Sequence, residues 1–517
     1  MKSALRAALL TAALASVAHA REFTIVTYNI ENLFDADKVA IFEDYAESGE
    51  ENGYSATKML RKMEGIAQVL KTFNDGAGPD IIALNELELD FTPDSKVKDY
   101  AAFLEKYKDT TVEKMLTSDL NDEIRGLPSE ALLLKYLGDQ GMTGYHVAIG
   151  ADEPDFVALA STDRSVRKKG HKNGLLSKFP IKAVKSHATT DARDVLEVEL
   201  DVEGHPLTVF VNHWKSGASA IDSEQARRFN AKTLRERLDA IFAADPSADV
   251  IVTGDFNSQY NQTQAYPQMG KTGVNDVLGS QGDEAATAGA TNYSLYNLWY
   301  ELPADKRRSD HYDGIWGTLM QTMITPGLYD HKGVQYVDNS FVVVALPGVN
   351  SVTQLNLPRR WSNFGGGSGF SDHFPVAFRA RVVGDDDKAK RLELSDPGRP
   401  DKDHTPLAVG FDRLKASELP PFNAEIAAEF EKHIGEFFRV KGEISSRRPL
   451  TIEVGDQKYA LWSSSRNSKA LRPLRKLPDD STVDLIGMLS FHKGKPQFLV
   501  EEPGWVISYK AAEEKAE

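Results

Sequence analysis

The chain of 517 residues contains no cysteine. That absence removes disulfides, thiolate metal ligands and thiol nucleophiles together, so a metal centre would have to be built from carboxylates, imidazoles and amides. Long apolar runs are also missing. The one sustained run lies within residues 1–20, where Lys2 and Arg6 precede a stretch too short to span a bilayer comfortably and Ala18-His19-Ala20 closes it. This pattern reads as a cleavable secretory signal peptide, which predicts a secreted or periplasmic protein with no membrane anchor. The alternative is an N-terminal anchor helix. An excess of positive charge is missing too: the formal net charge is −15. No global field then draws the protein to nucleic acid or to an anionic membrane, and a polyanionic substrate must be met by a local basic patch or a bound cation.

What is present is a soluble composition on a chain longer than one compact core usually supports. After the signal, "REFTIVTYNIENLF" alternates and is rich in β-branched residues, as a strand requires. "ATKMLRKMEGIAQVLKTF" spaces Met59, Met63, Ile66 and Leu70 at helical intervals. Residues from about 93 to 141 are charged with a helical pattern and predict an insertion of surface helices. Further strands alternate with a helix near residues 223–243, and the mixture of hairpins and crossovers predicts an α/β protein with mixed sheets covered by helices. Residues 384–408 are charged, proline-bearing and nearly free of apolar side chains, and predict a linker after a first domain at 21–383. Beyond it, short strands with one helix over 409–511 predict a small β-barrel of the OB type.

Several predicted strands end in polar groups. "SADVIVTGDFNSQY" passes from Val250, Ile251 and Val252 to Asp255 and Asn257, two residues apart and so on one side of an extended chain. A turn after a strand would explain that stretch alone. Asn29 ends "TIVTYN", Glu86 ends "DIIALNE", His213 ends "TVFVNH", and Asp372 with His373 lies in "GFSDHFPV". Each group alone could be a satisfied polar residue or a cap. Together they would make one pocket if the strand ends converge. Glu86, Asp255 and Asp372 offer hard oxygen ligands suited to Mg²⁺, and the histidines offer phosphate donors or proton transfer near neutral pH.

The ordered set "TYNIENL", "LNELE", "NGLLSKFPI", "VNHWKS", "GDFNS" and "SDHFPV" resembles the endonuclease/exonuclease/phosphatase family, over about residues 22–383. The resemblance implies a four-layer sandwich of two mixed β-sheets flanked by helices, and hydrolysis of phosphoester bonds with a divalent metal, Mg²⁺ or alternatively Mn²⁺ or Ca²⁺. It implies Glu86 as principal metal ligand with Asn29 supporting metal and phosphate, Glu31 at a position acidic in some members, and Asp372 beside the metal. Asp255 would orient the attacking water, Asn257 would hold the phosphate, and His213 and His373 would contact it, with His373 the partner in proton transfer. Two departures stand out. Asn85 replaces the family's glutamine, and the aspartate that orients the catalytic histidine falls either on Asp313 or, in a second register, on Met320.

For substrate, Lys215 would lie near the phosphate, and Arg164, Arg167, Lys168 and Lys169 form a basic cluster that is either a solvated loop or a phosphate-tracking patch. The C-terminal module is locally basic, with Tyr459, Trp462 and Phe491 interleaved, either as core or as stacking surfaces for bases. The expectation is an exported nuclease acting on nucleic acid, DNA first, with the barrel as a tethered DNA-holding module. The alternatives are a phospholipid or inositol phosphate phosphoesterase of the same fold and a catalytically impaired nucleic-acid-binding protein. The oligomeric state is not legible.

Overall fold

The computed structural model describes residues 21–42, 44–46, 53–92, 96–150, 170–400, 406–463, 469–492 and 495–513. The predicted signal peptide and the cluster Arg164, Arg167, Lys168 and Lys169 lie outside the described residues.

Two seven-stranded mixed sheets face each other. The first runs Asp330–Tyr336, Val376–Arg391, Glu22–Leu33, Ile81–Glu88, His171–Ser177, His146–Ile149, with Val342–Val343 also on Val376–Arg391. The second runs Ile181–His187, Val195–Val202, His205–His213, Val250–Asp255, Met320–Ile324, Leu295–Asn297, Ser280–Gln281. The period of two along each strand builds the layers. Ile25, Ile81, Ala83, Val209 and Ile251 point into the core between the sheets. Their neighbours Val26, Ile82 and Leu84 point outward under helix Ala56–Leu70, while Phe210, Val250 and Val252 point outward under helix Ile221–Ala244. Both faces of these strands are therefore covered, which is why they read as continuous apolar runs.

Three expectations need correction. The predicted surface insertion contains helix Ser129–Asp139, whose Leu132, Leu133 and Leu137 are fully buried in the same core cluster as Met59 and Met63. Its run "ALLLKYL" is apolar except for Lys135, which is itself buried and paired with Asp139 at 2.9 Å, so the helix packs as part of a layer. The predicted linker is not free at its start: strand Val376–Arg391 continues into it, with His331 opposite Asp387 and Asp330 opposite Arg391. Further on, the Gly398 backbone donates to buried Glu284 at 2.9 Å. Strand pairing and one buried carboxylate hold a segment that its charge made look like coil.

The C-terminal strands Phe437–Arg447, Leu450–Val454, Gln457–Trp462, Lys495–Leu499 and Thr482–His492 close into a five-strand barrel, since Phe437–Arg447 pairs with Thr482–His492 as well as with Leu450–Val454. This closed barrel fits an OB-like domain. It is docked rather than tethered, which is the third correction. Its core is one cluster with Trp316, Val352, Leu357 and Phe374 of the first domain, and Phe364 meets Phe430 and Phe491 at ring distances of 5.1 and 5.5 Å. Of the aromatics considered for stacking, Tyr459 is core and Phe491 lies at this junction. Trp462 alone of the three is exposed, at 51 %. Several barrel cations are also engaged: Arg439 binds Asp484 through two bonds of 3.0 and 2.7 Å, and Arg447 lies 3.4 Å from Asp479.

Candidate active site

The site forms where the central strands of both sheets end together. Strand Ile81–Glu88 loses register on both sides near Glu86, and Glu86 itself takes a left-handed backbone, φ 66°. Such a kink re-aims a side chain, at an energetic cost that the surrounding structure must hold. In the second sheet the device is Gly254. Its φ of 135° and the position of its Cα, where an added Cβ would sit 2.0 Å from the Asn212 carbonyl oxygen, admit only glycine. That close approach lets Val250–Asp255 lie parallel to His205–His213 with Asp255 directly beside His213.

Glu86, His213 and Asp255 thereby bring one ligand atom each to within 4.8 Å of one another. His213 Nε2 lies 3.7 Å from Glu86 Oε1 and 3.7 Å from Asp255 Oδ2. Asn29 Nδ2 donates to both carboxylates, at 3.1 and 3.0 Å, and the Asn32 backbone donates to Glu86 Oε2 at 3.1 Å. Asn85 ties the tips behind them: its amide donates to Asn173 Oδ1 and the Asn212 carbonyl, and its oxygen accepts from the Asp255 backbone. Asn257, φ 47°, donates from its backbone to Asp255 Oδ1 and from its side chain to the Trp214 carbonyl.

Burial raises the carboxyls of Glu86 and Asp255, and Asp372 adds to the effect at Glu86. Burial, with the nearby charge of Arg193, pushes the His213 imidazole well below its ordinary value, so it is neutral. Asp372 Oδ1 is buried without a hydrogen-bond donor. A half-buried and a buried carboxylate beside a neutral imidazole, with an orphaned oxygen close by, form a donor set that fits a divalent cation. A cation there would remove the cost of burying like charges.

His373 faces this group from the loop that leads into strand Val376–Arg391, its Nε2 3.7 Å from Asp255 Oδ2 and 3.7 Å from Asp372 Oδ1. Burial works against protonation of its ring, but Asp372, Asp255 and Asp310 outweigh it and bring the pKa to about 9. Ser371 Oγ fixes the turn by donating to the Asn29 carbonyl and accepting from the His373 backbone.

The structure rearranges several expected roles. Glu31 engages the protein with both oxygens: one accepts from Arg360 Nε at 2.6 Å and the other from the Trp361 backbone at 2.7 Å. Asn29 directs its amide nitrogen at Glu86 and Asp255, and so positions them. Asp313 sits in the turn between strands Asp310–Tyr312 and Ile315–Gly317, and Met320 is core, paired with Asp255 across the ladder. Asp310 pairs with His373 in an isolated antiparallel backbone bridge, and its charge is among those that raise the His373 pKa. Asp310 is itself oriented by donors from Ser309 Oγ and the Leu319 backbone. Sequence reasoning passed over it although "SDH" at 309–311 repeats "SDH" at 371–373. Arg193 was also missed; its Nη2 lies 2.9 Å from His171 Nδ1 and its charge acts on Glu86 and His213. Lys215 is half-buried just after His213, with its backbone 3.4 Å from Asn230 Oδ1.

A model of the endonuclease/exonuclease/phosphatase family matches residues 24–112 and 173–381, more than half of the chain. No curated protein matches. Similar solved structures include an endonuclease/exonuclease/phosphatase family protein from Leptotrichia buccalis, 15 % identical over 70 % of this chain and 100 % of that one, TM-score 0.36. D. rerio TDP2 complexed with single strand DNA product is 12 % identical over 70 % and 99 % of the two chains, TM-score 0.36. The human Nocturnin catalytic domain with bound sulfate anion is 14 % identical over 70 % and 95 %, TM-score 0.35. At these scores the family match, with the geometry above, carries the assignment. The chain belongs to the endonuclease/exonuclease/phosphatase family, whose members typically hydrolyse phosphodiester bonds with a divalent metal.

Proposed function

We propose that the protein is an exported, divalent-metal-dependent phosphodiesterase that hydrolyses nucleic acid, DNA first, with Mg²⁺ as the first metal to test. The observation that carries this reading is the convergence of Glu86, His213 and Asp255 within 4.8 Å, facing His373. Glu86 and Asp255 would hold the cation, with His213 beside them; when bound it polarises the phosphate and lowers the pKa of a water. Asp255 orients the attacking water, and Asn257 and Arg193 bind phosphate oxygens. His373, beside Asp255, Asp372 and Asp310, would stabilise the charge that builds on the phosphoryl oxygens and give its proton to the leaving oxygen as the P–O ester bond breaks, while the water that forms the new P–O bond gives its proton to Asp255. Export is supported by Lys2, Arg6 and the small-residue end at Ala18-His19-Ala20. Among the described residues no helix is long and apolar enough to cross a membrane.

The test uses purified protein from Arg21 onward with circular plasmid DNA and Mg²⁺, Mn²⁺ or Ca²⁺ in turn, beside an EDTA control and the Glu86→Ala and His373→Ala variants. Metal-dependent nicking lost in both variants is expected. An intact plasmid with turnover of bis(4-nitrophenyl) phosphate would remove DNA and keep the phosphodiesterase. Silence on both with every metal would overturn the enzyme reading and favour a binding protein.

A further inference from the structure

Residues 344–371 wall the site on the barrel side, and they carry two adjacent arginines. Their side chains go to different elements. Arg359 turns to the barrel, where its Nη2 donates to the Lys432 carbonyl and lies 3.8 Å from Glu436. Arg360 turns to the metal-site side. Its Nε donates to Glu31 Oε1 at 2.6 Å, and Glu31 lies two residues from Asn29, which bonds both Glu86 and Asp255. Glu86 and Asp372 also act on the Arg360 charge.

The guanidinium is thus fixed through one edge while its side chain stays 72 % exposed, against 6 % for Glu31. Among the described residues no further hydrogen bond occupies its Nη1 or Nη2. Holding the wall does not require this cation. Lys62 Nζ donates to the Phe370 carbonyl at 2.7 Å, Lys58 Nζ to the Asn363 carbonyl at 2.6 Å, and Ser368 Oγ to the Glu431 carbonyl at 2.6 Å, while the Trp361 backbone already engages Glu31. What Arg360 adds is a pre-oriented fork facing solvent at the edge of the site. That geometry matches the paired oxygens of a phosphate, and its prior fixation lowers the entropy lost on binding.

We propose that Arg360 is a specificity-determining residue that receives a second phosphate, adjacent along the substrate to the one hydrolysed, and so directs the site to chains with a repeating phosphodiester backbone. This rests on the phosphodiesterase reading above. The docked barrel contributes by holding Arg359, and through it the position of its neighbour.

The test compares full-length wild type, Arg360→Gln and Arg360→Lys on bis(4-nitrophenyl) phosphate, which has one phosphate, and on a short oligodeoxynucleotide. Arg360→Gln is expected to lower kcat/KM on the oligonucleotide at least about tenfold further than on the single diester, mainly through KM. The slope of log kcat/KM against log salt on the oligonucleotide should also become less steep by about one contact. Arg360→Lys, which keeps charge but loses the fork, should fall between. Equal losses on both substrates, or a lower melting temperature with an unchanged substrate ratio, would mean a structural ion pair and overturn the proposal. A wild type that hydrolyses the single diester but not the oligonucleotide overturns it while leaving the phosphodiesterase standing; a wild type silent on both removes the two together.

Discussion

Arg227 offers a demanding test of the frame around His213. It lies on helix Ile221–Ala244 with no exposed surface, and its guanidinium makes five bonds. Nε and Nη2 donate to Glu224 Oε2 at 2.8 and 2.6 Å. Nη1 reaches the carbonyls of Lys215 and Gly217, and Nη2 that of Ala218, so one side chain shapes the loop that follows His213 and Trp214. Arg227→Met keeps the packing volume but leaves Glu224, 1 % exposed, without its cation. Glu224 would retain the Gly273 backbone donor at 2.7 Å and Gln262 at 3.4 Å, which softens the loss without replacing the charge. Breaking a buried pair from one side costs about 3–5 kcal/mol, whereas replacing both partners by apolar groups is often nearly neutral. The loop carbonyls are nearer the surface and can turn to water, so they add little. The assay is urea unfolding followed by tryptophan fluorescence, in which buried Trp214 reports on this loop. Arg227→Met should lose about 4 kcal/mol, and Arg227→Met with Glu224→Leu should recover more than half of it. If the double variant is as unstable as the single or worse, desolvated charge is not what the arginine compensates, and the reasoning fails.

Asp310→Asn should lower kcat about 10–100-fold with little change in melting temperature, because it removes a charge that holds the His373 proton; an equal loss from Asp313→Asn would contradict the placement of Asp310. Gly254→Ala should fail to give soluble, folded protein, since an added Cβ meets the Asn212 carbonyl at 2.0 Å in a left-handed backbone; a normal thermal melt would refute the close approach. Glu197 gives a pH dependence. Burial alone would raise its carboxyl, but the two bonds from Arg237, with His187 behind them, depress it well below the ordinary range. A depressed carboxyl contributes stability above its unfolded pKa, about 4.3, and loses it as pH falls toward the folded value. Glu197→Gln should therefore flatten the decline in melting temperature below about pH 4.3; an acid limb identical to wild type would count against it.

The sequence was most legible where one strand carried its own explanation. Val250–Asp255 is buried on both faces and ends in a carboxylate, so both the layer and the site residue follow from a few adjacent letters. Glu86 and His213 were readable for the same reason. Glu31 was not, because its partner Arg360 is more than three hundred residues away and only the folded chain turns a candidate ligand into an anchor. Asp310 was not legible because neither register considered, on Asp313 or on Met320, falls on it; the hairpin Asp310–Gly317 places this carboxylate upstream of both. The charged stretch after Val383 misled by composition: its pairing partner, Asp330–Tyr336, lies far back in the chain.

The shared core of barrel and catalytic loops sets an order in time. Trp316, Val352, Leu357 and Phe374 are made before the strands at 437–499 that cover them, and Trp505, which closes the same cluster, comes later still. A ribosome delivers Glu86, His213 and Asp255 early, and both sheets of the sandwich can assemble around them. Phe374, next to His373, acquires its apolar backing only after nearly the whole chain has emerged. A chain cut short within the barrel would thus possess every side chain of the candidate site and lack the surface that sets the last of them.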